Sequence, residues 1–226
     1  MPYYLRPSAP TAPDALLCGD PSRALAVAQA VLVKPRMSNH NRGLWGYYGT
    51  TPGGDELTVQ ATGIGGPSAA VVLGEMAELG LRRAIRVGTC SAHANAPTAG
   101  SGLVVERAIA ADGTSAALGF QPGSELEPSL ELTRALLRAT GCPPATVVSR
   151  DVGPVGTVPE GPAAAAAVAD FQTAATFAAC RSNAIEVAAV LAVANAAGRR
   201  LEDEPLEATL LAIAAAAAAA LATATL

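Results

Sequence analysis

The sequence predicts an α/β domain built on a mixed, largely parallel sheet. Three observations carry this. Short apolar runs alternate with helical stretches, strand-like runs end in glycine turns that open helices, and half of the 226 residues are apolar with no composition break marking a linker. One domain over 1–226 is expected, without internal repeats.

Residues 15–18 form a short strand. Asp20 and Pro21 then supply an N-cap and a first turn for a helix reaching about Leu32. Leu57, Val59 and Ala61 alternate in a second strand. The chain turns at 63–66, and Pro67 opens a helix to about Leu79. Strands follow over 84–87 and 102–110, a helix over 129–139 and a strand over 146–149. Helices are expected over 162–177, 184–197 and 206–221, where alanine runs favour helix over disorder. The uncharged stretch 210–226 barely reaches the roughly 20 residues a membrane span needs. A helix packed on the domain, and no membrane partner, is the expectation.

Composition excludes several functions. The 15 basic and 19 acidic residues give a net charge of −4, without the basic stripe of a nucleic-acid binder. Aromatic residues are 4% of the chain, so any base-stacking platform is small. Cys18, Cys90, Cys142 and Cys180 form no CxxC, and no secretory leader precedes them; reduced thiols in a cytoplasmic protein are expected. His40 and His93 have no ligand at helical spacing, so no metal site is expected.

Residues that are costly where they sit point to chemistry. Arg86 lies inside the apolar strand Ala84-Ile85-Arg86-Val87-Gly88, where a guanidinium needs a distant carboxylate or an anion. Gly88, Thr89 and Cys90 follow at the strand's C-terminal end, where α/β sheets bind ligands. Gly19-Asp20-Pro21-Ser22-Arg23 joins a strand end to a helix start, and its N–H groups together with Arg23 suit an oxyanion; Asp20 capping its own helix explains part of the pattern. Gly63-Ile64-Gly65-Gly66-Pro67-Ser68 is a second such turn, neither a dinucleotide fingerprint nor a Walker motif. Glu186 is a lone acid in the apolar run 184–191, either facing water or accepting hydrogen bonds from a polar ligand such as a sugar. Together these residues suggest a site for a sugar and a phosphate.

The runs Ala61-Thr62-Gly63-Ile64-Gly65-Gly66-Pro67-Ser68 and Arg86-Val87-Gly88-Thr89-Cys90 resemble the nucleoside phosphorylase family, in its hexameric purine-nucleoside/uridine branch. Gly19-Asp20-Pro21-Ser22-Arg23 is similar to its GDPxR opening, Asn41-Arg42-Gly43 with Gly46-Tyr47 to its RGxxGY segment, and Ala111-Asp112-Gly113-Thr114-Ser115 to the ADGTS segment of uridine-phosphorylase-like members. The resemblance implies a three-layer αβα sandwich around a mixed sheet. It implies phosphate binding by Gly19, Arg23, Arg86 and Thr89, with Arg42 reaching the site of a neighbouring subunit. It gives Glu186 the ribose hydroxyls, with Ile185 and Tyr4 beside the ribose, and Arg86 and Glu186 the catalytic roles. Ser91 and Asp151 fall at the base. The implied reaction is phosphorolysis of an N-glycosidic bond in a homo-oligomer, a dimer or hexamer. Inorganic phosphate is the co-substrate, with no metal or organic cofactor.

The sequence also departs from that pattern. Tyr4 replaces a histidine, Ile185 a methionine, Ala184 an acid and Ser91 a glycine. Arg150-Asp151-Val152-Gly153-Pro154 lacks the base-stacking aromatic pair. The apolar strand ending in Ser-Asp, expected after Gly198, is missing there, so a central strand reads as deleted. Three readings stand: a uridine-like nucleoside phosphorylase with purines possible, a weak or inactive homologue that keeps the phosphate site, and a phosphate-independent nucleosidase.

Overall fold

A computed structural model describes residues 2–93, 97–152 and 166–224. β1 (Asp14–Cys18) leads through the Asp20 cap into α1 (Pro21–Val31). β2 (Val33–Asn39), β3 (Gly46–Thr50) and β4 (Glu56–Ala61) run antiparallel, and β4 lies parallel to β1. α2 (Gly65–Glu78) crosses over to β5 (Arg83–Ala92), parallel to β1 on its other side. Then come β6 (Gly102–Ala111), the short α3 (Gly113–Ala117), β7 (Glu125–Leu126), α4 (Leu130–Thr140), β8 (Pro144–Arg150), β9 (Val168–Asp170), α5 (Thr173–Ser182), β10 (Glu186–Ala196), β11 (Arg199–Arg200) and α6 (Asp203–Thr223).

The sheet closes on itself. β5 pairs along its length with β10, β10 with β6, β6 with β8, and β8 with β9. β9 returns to the end of β5 through Ser91 and Ala92, completing a five-strand ring. β1, β4, β3 and β2 extend from β5 as an open sheet.

Helices cover both faces. α2 and α5 bury Val72, Leu73, Met76, Phe177 and Ala178 on one side, and α1, α4 and α6 bury Val27, Leu132, Leu136, Leu210 and Ile213 on the other. Each such large aliphatic or aromatic side chain contributes roughly 1.5–3 kcal/mol. The expected three-layer αβα sandwich is therefore the fold. α6 is long and apolar enough to cross a membrane, but it packs on α1, α4, β5 and β10 and buries the stripe Leu206, Leu210, Ile213, Ala217 and Leu221.

Three expectations are corrected. Residues 184–197 are not a helix: β10 is a strand, buried on both faces between β5 and β6. A strand covered on both faces reads as an unbroken apolar run, which periodicity cannot separate from a buried helix. Val187, Val190 and Val193 recur every three residues and imitate a helical stripe. No central strand is deleted either, because β10 is that strand; it carries Ala194-Asn195 near its end and runs to Ala196 before a tight turn. Ala197 and Gly198 both have positive φ there, as a two-residue hairpin to β11 requires. The helix expected over 162–177 resolves into β9 and the start of α5, and 162–165 lie outside the described residues.

Candidate active site

A cavity of about 400 Å³ opens at the C-terminal ends of β1, β4 and β5. Gly19, Asp20, Arg23, Gly63, Gly65, Arg86, Thr89 and Ser91 all line it, and so do Asp170, Phe171 and Gln172. Three helices begin at its wall: α1 after Asp20, α2 at Gly65 and α5 after Gln172. Their unsatisfied N–H groups and dipole ends favour an anion. Among the described residues no cluster of three or more His, Cys, Asp or Glu side chains gathers to hold a metal.

Local sequence explains each wall. Asp20 caps α1 by accepting a hydrogen bond from the Arg23 N–H at 3.0 Å, and Pro21 needs no N–H partner in the first turn. Burial disfavours the Asp20 carboxylate, but hydrogen bonds from Ser22 and the Arg23 N–H, with the Arg23 charge, hold it below the usual carboxylate range. Arg23 itself makes no ion pair among the described residues. Gly63 and Gly65 adopt φ of +74° and +78°, which lets the chain leave β4 and enter α2 sharply.

Arg86 is 5% exposed, and each of its three guanidinium nitrogens makes one hydrogen bond, which uses three of its five N–H donors. Nη2 meets the Asp170 carboxylate at 3.1 Å, Nε donates to the Thr173 hydroxyl at 3.1 Å and Nη1 donates to Gln172 Oε1. A Cβ at Gly88 would come within 2.8 Å of the Arg86 guanidinium, so glycine is what lets it lie across the strand. Asp170 also accepts from the Ser149 and Thr173 hydroxyls and from the N–H groups of Gln172 and Thr173, capping α5. Gln172 accepts from Thr62 Oγ1 at 3.1 Å and donates from Nε2 to the carbonyls of Gly63 and Gly65, each at 2.9 Å.

The structure thus brings Gly19, Arg23, Arg86, Thr89 and Ser91 together. It does not bring Glu186 or Ile185 to them. Glu186 begins β10, in register with Arg83 at the opposite end of β5, and both Glu186 and Ile185 line a separate cavity beside Arg181. The cause is the helix-for-strand misreading, which carried the acid-x-Glu pattern from 172 to 186. The triplet lining the cavity is Asp170-Phe171-Gln172, at the turn from β9 into α5. Asp151 is also corrected, since its carboxylate accepts from the Gly113 N–H at 2.6 Å while its neighbours Arg150 and Val152 line the cavity. Tyr4 and Arg42 lie outside this cavity and stack on each other, with the guanidinium 5.1 Å from the ring centre. Gly153 and Pro154 lie outside the described residues.

Sequence reasoning missed Asp170, Phe171 and Gln172. One signal was present, because Asp170 is the single charged residue between Glu160 and Arg181. Phe171 gives the cavity the aromatic wall that the 149–154 segment lacks. Asn195 pairs in register with Ser91. Its Oδ1 and both ring nitrogens of buried His93 have no hydrogen-bond partner among the described residues. Burial, and after it the Arg150 charge, pull the His93 pKa below its ordinary value. Cys18 and Cys90 are inert here: burial pushes Cys18 up to about 12 and Cys90 higher still.

The family model of the phosphorylase superfamily matches residues 13–226. A DeoD-type purine nucleoside phosphorylase of Oceanobacillus iheyensis is 42% identical over 78 residues, covering 34% of this chain and 33% of that protein. One of Clostridium perfringens is 43% identical over 75 residues, 33% of this chain and 32% of that one. The chain spans about a third of the length of the curated relatives it matches. Two solved structures share the fold at a TM-score of 0.80. Uridine phosphorylase of Vibrio fischeri with 6-hydroxy-1-naphthoic acid is 20% identical, over 94% of this chain and 92% of that one. Purine nucleoside phosphorylase of Toxoplasma gondii with immucillin-H is 21% identical, over 93% and 92%.

Proposed function

The chain belongs to the phosphorylase superfamily, and from that premise we propose that it is a nucleoside phosphorylase, an enzyme that cleaves an N-glycosidic bond with inorganic phosphate. One observation carries the reading: Gly19, Arg23, Arg86 and Thr89 meet in a cavity walled by three helix N-termini. Phosphate held there attacks the anomeric carbon. The C–N electron pair leaves with the base, which then takes a proton from water, and a C–O bond forms to phosphate. The protein's contribution is to position phosphate against an oxocarbenium-like centre and to stabilise charge. Phosphate is the co-substrate and the reading needs no other cofactor.

A uridine-like pyrimidine base is favoured. At the end of β10 the chain has Asn195, which can hydrogen-bond a leaving base but cannot protonate it. Arg42, held against Tyr4 outside its own cavity, is assigned to a neighbouring subunit of a homo-oligomer. Nucleoside salvage in the cytoplasm is the setting this reading implies.

A second reading has one observation in its favour. The resemblance implies carboxylates at the ribose and at the end of the last central strand, and the chain has the amides Gln172 and Asn195. That pattern favours a homologue that keeps anion binding with a weak reaction. Base release from uridine, thymidine, inosine and adenosine, with and without phosphate, separates the readings. Phosphate-dependent release supports the phosphorylase, release without phosphate a hydrolase, and phosphate binding without release the weakened homologue.

A further inference from the structure

We propose that Gln172 is a positioning residue of the anion site, and that the site depends on its side chain being a neutral amide. The inference rests on the phosphate reading above. A carboxamide has two N–H donors and an oxygen able to accept two hydrogen bonds. Gln172 has a partner for all four: Nε2 donates to the carbonyls of Gly63 and Gly65, and Oε1 accepts from Arg86 Nη1 and competes with the Cys18 carbonyl for the one proton of the Thr62 hydroxyl. It is 3% exposed, so these bonds are made out of water. One side chain therefore ties the glycine turn at the start of α2 to the guanidinium that crosses β5.

The direction of the amide is fixed. Its nitrogen faces two carbonyl oxygens and its oxygen faces a cation and a hydroxyl, so a flip would set oxygen against oxygen. A carboxylate at 172 fails for the same reason, having no donor for Gly63 or Gly65. It also changes the charge. Arg86 is already neutralised by Asp170 at 3.1 Å, and a second carboxylate would leave the buried cluster negative at the wall where phosphate must sit. The neutral amide spares Arg86 that second anion while holding it in place.

The test is titration calorimetry of the whole chain with inorganic phosphate, for the wild type, Gln172→Met and Gln172→Glu, with circular dichroism as the fold check. Q172M keeps shape and neutrality but loses the clamp, and should weaken phosphate about 10-fold, the size of one or two net hydrogen bonds. Q172E loses the clamp and adds charge, and should weaken it at least about 30-fold at pH 8. Burial beside Asp170 disfavours the charged form of the carboxyl that Q172E introduces, so lowering the pH from 8 to 5 moves it toward a neutral donor, and the deficit of this variant relative to wild type should shrink. A merely structural role would not move with pH in this way. A folded Q172E binding within about threefold of wild type overturns the proposal, as do equal deficits for Q172E and Q172M at both pH values. If Q172E does not fold, Q172M decides: a loss near 10-fold supports the clamp, and binding within about twofold of wild type overturns it. Failure of the wild type to bind phosphate overturns the phosphate reading and this inference with it.

Discussion

The guanidinium of Arg86 and the carboxylate of Asp170 meet at 3.1 Å although 84 residues separate them, and both are almost wholly buried. The pair answers the question Arg86 poses in the sequence, because the distant carboxylate exists and lies at the wall of the cavity. Removing one partner strands the other. Arg86→Ala should destabilise the protein by about 3–5 kcal/mol and abolish any phosphate-dependent rise in melting temperature. Combining Arg86→Met with Asp170→Asn should cost less than the sum of the single changes, which a denaturation double-mutant cycle measures.

Arg23 is the contrasting case. It lines the same cavity without an ion pair among the described residues. Arg23→Met should change stability without phosphate by less than about 0.5 kcal/mol, as a surface substitution does. It should weaken phosphate about 10- to 100-fold, the worth of a charged hydrogen bond. Calorimetry and thermal denaturation of one variant separate the two effects.

The two glycines of the turn differ in what surrounds them. A Cβ at Gly63 would overlap Ser68 Oγ, whose hydroxyl already donates to the Thr62 carbonyl at 2.6 Å. At Gly65 the nearest atom to such a Cβ is Pro67 Cδ at 3.8 Å. Both have positive φ, so Gly65→Ala should cost about 1–2 kcal/mol from backbone strain alone. Gly63→Ala should cost more. Equal midpoints in urea for the two variants would refute the steric difference.

Acid should weaken the fold in two stages. Burial and the Arg150 charge keep the His93 pKa below its ordinary 6.5, so stability falls once pH drops below about 6.5 and the unfolded chain takes up a proton the native one refuses. Glu75 accepts from the N–H groups of Tyr3, Tyr4 and Leu5. Burial disfavours its carboxylate, but those bonds outweigh it and hold the carboxyl below its ordinary 4.5. The stability it lends is present above that value and is lost as pH falls further, releasing the N-terminal segment. Hydrogen exchange at Tyr4 and Leu5 should rise in that second window, and Glu75→Gln should raise it already at neutral pH.

Local rules carried the sequence reading as far as local causes reach. Asp20 with Pro21, the glycine turn and the charged Arg86 in an apolar strand each announce themselves within a few residues. The hairpin of β2 and β3 was missed because Lys34, Pro35 and Arg36 break its alternation. β10 was missed because alanine lies between its valines and suits either geometry. That one error placed the expected ribose contact at Glu186, away from the cavity, and created an apparent deletion. Gln172 could not be found locally at all: its meaning lies in partners 107 to 110 positions upstream and in Arg86.

The ring of strands imposes an order on biosynthesis. β5 needs β10 on one side and β9 at its end; Arg83 pairs with Glu186, 103 residues downstream, and Ser91 with Ala169, 78 residues downstream. While a ribosome is still making the middle of the chain, β5 must wait with an open edge and with Arg86 lacking its counter-ion. Such a nascent chain exposes a sticky, charged strand for the seconds that synthesis takes at about 5–20 residues per second. A truncation before residue 170 would hold the protein in that state permanently, a natural client for chaperones.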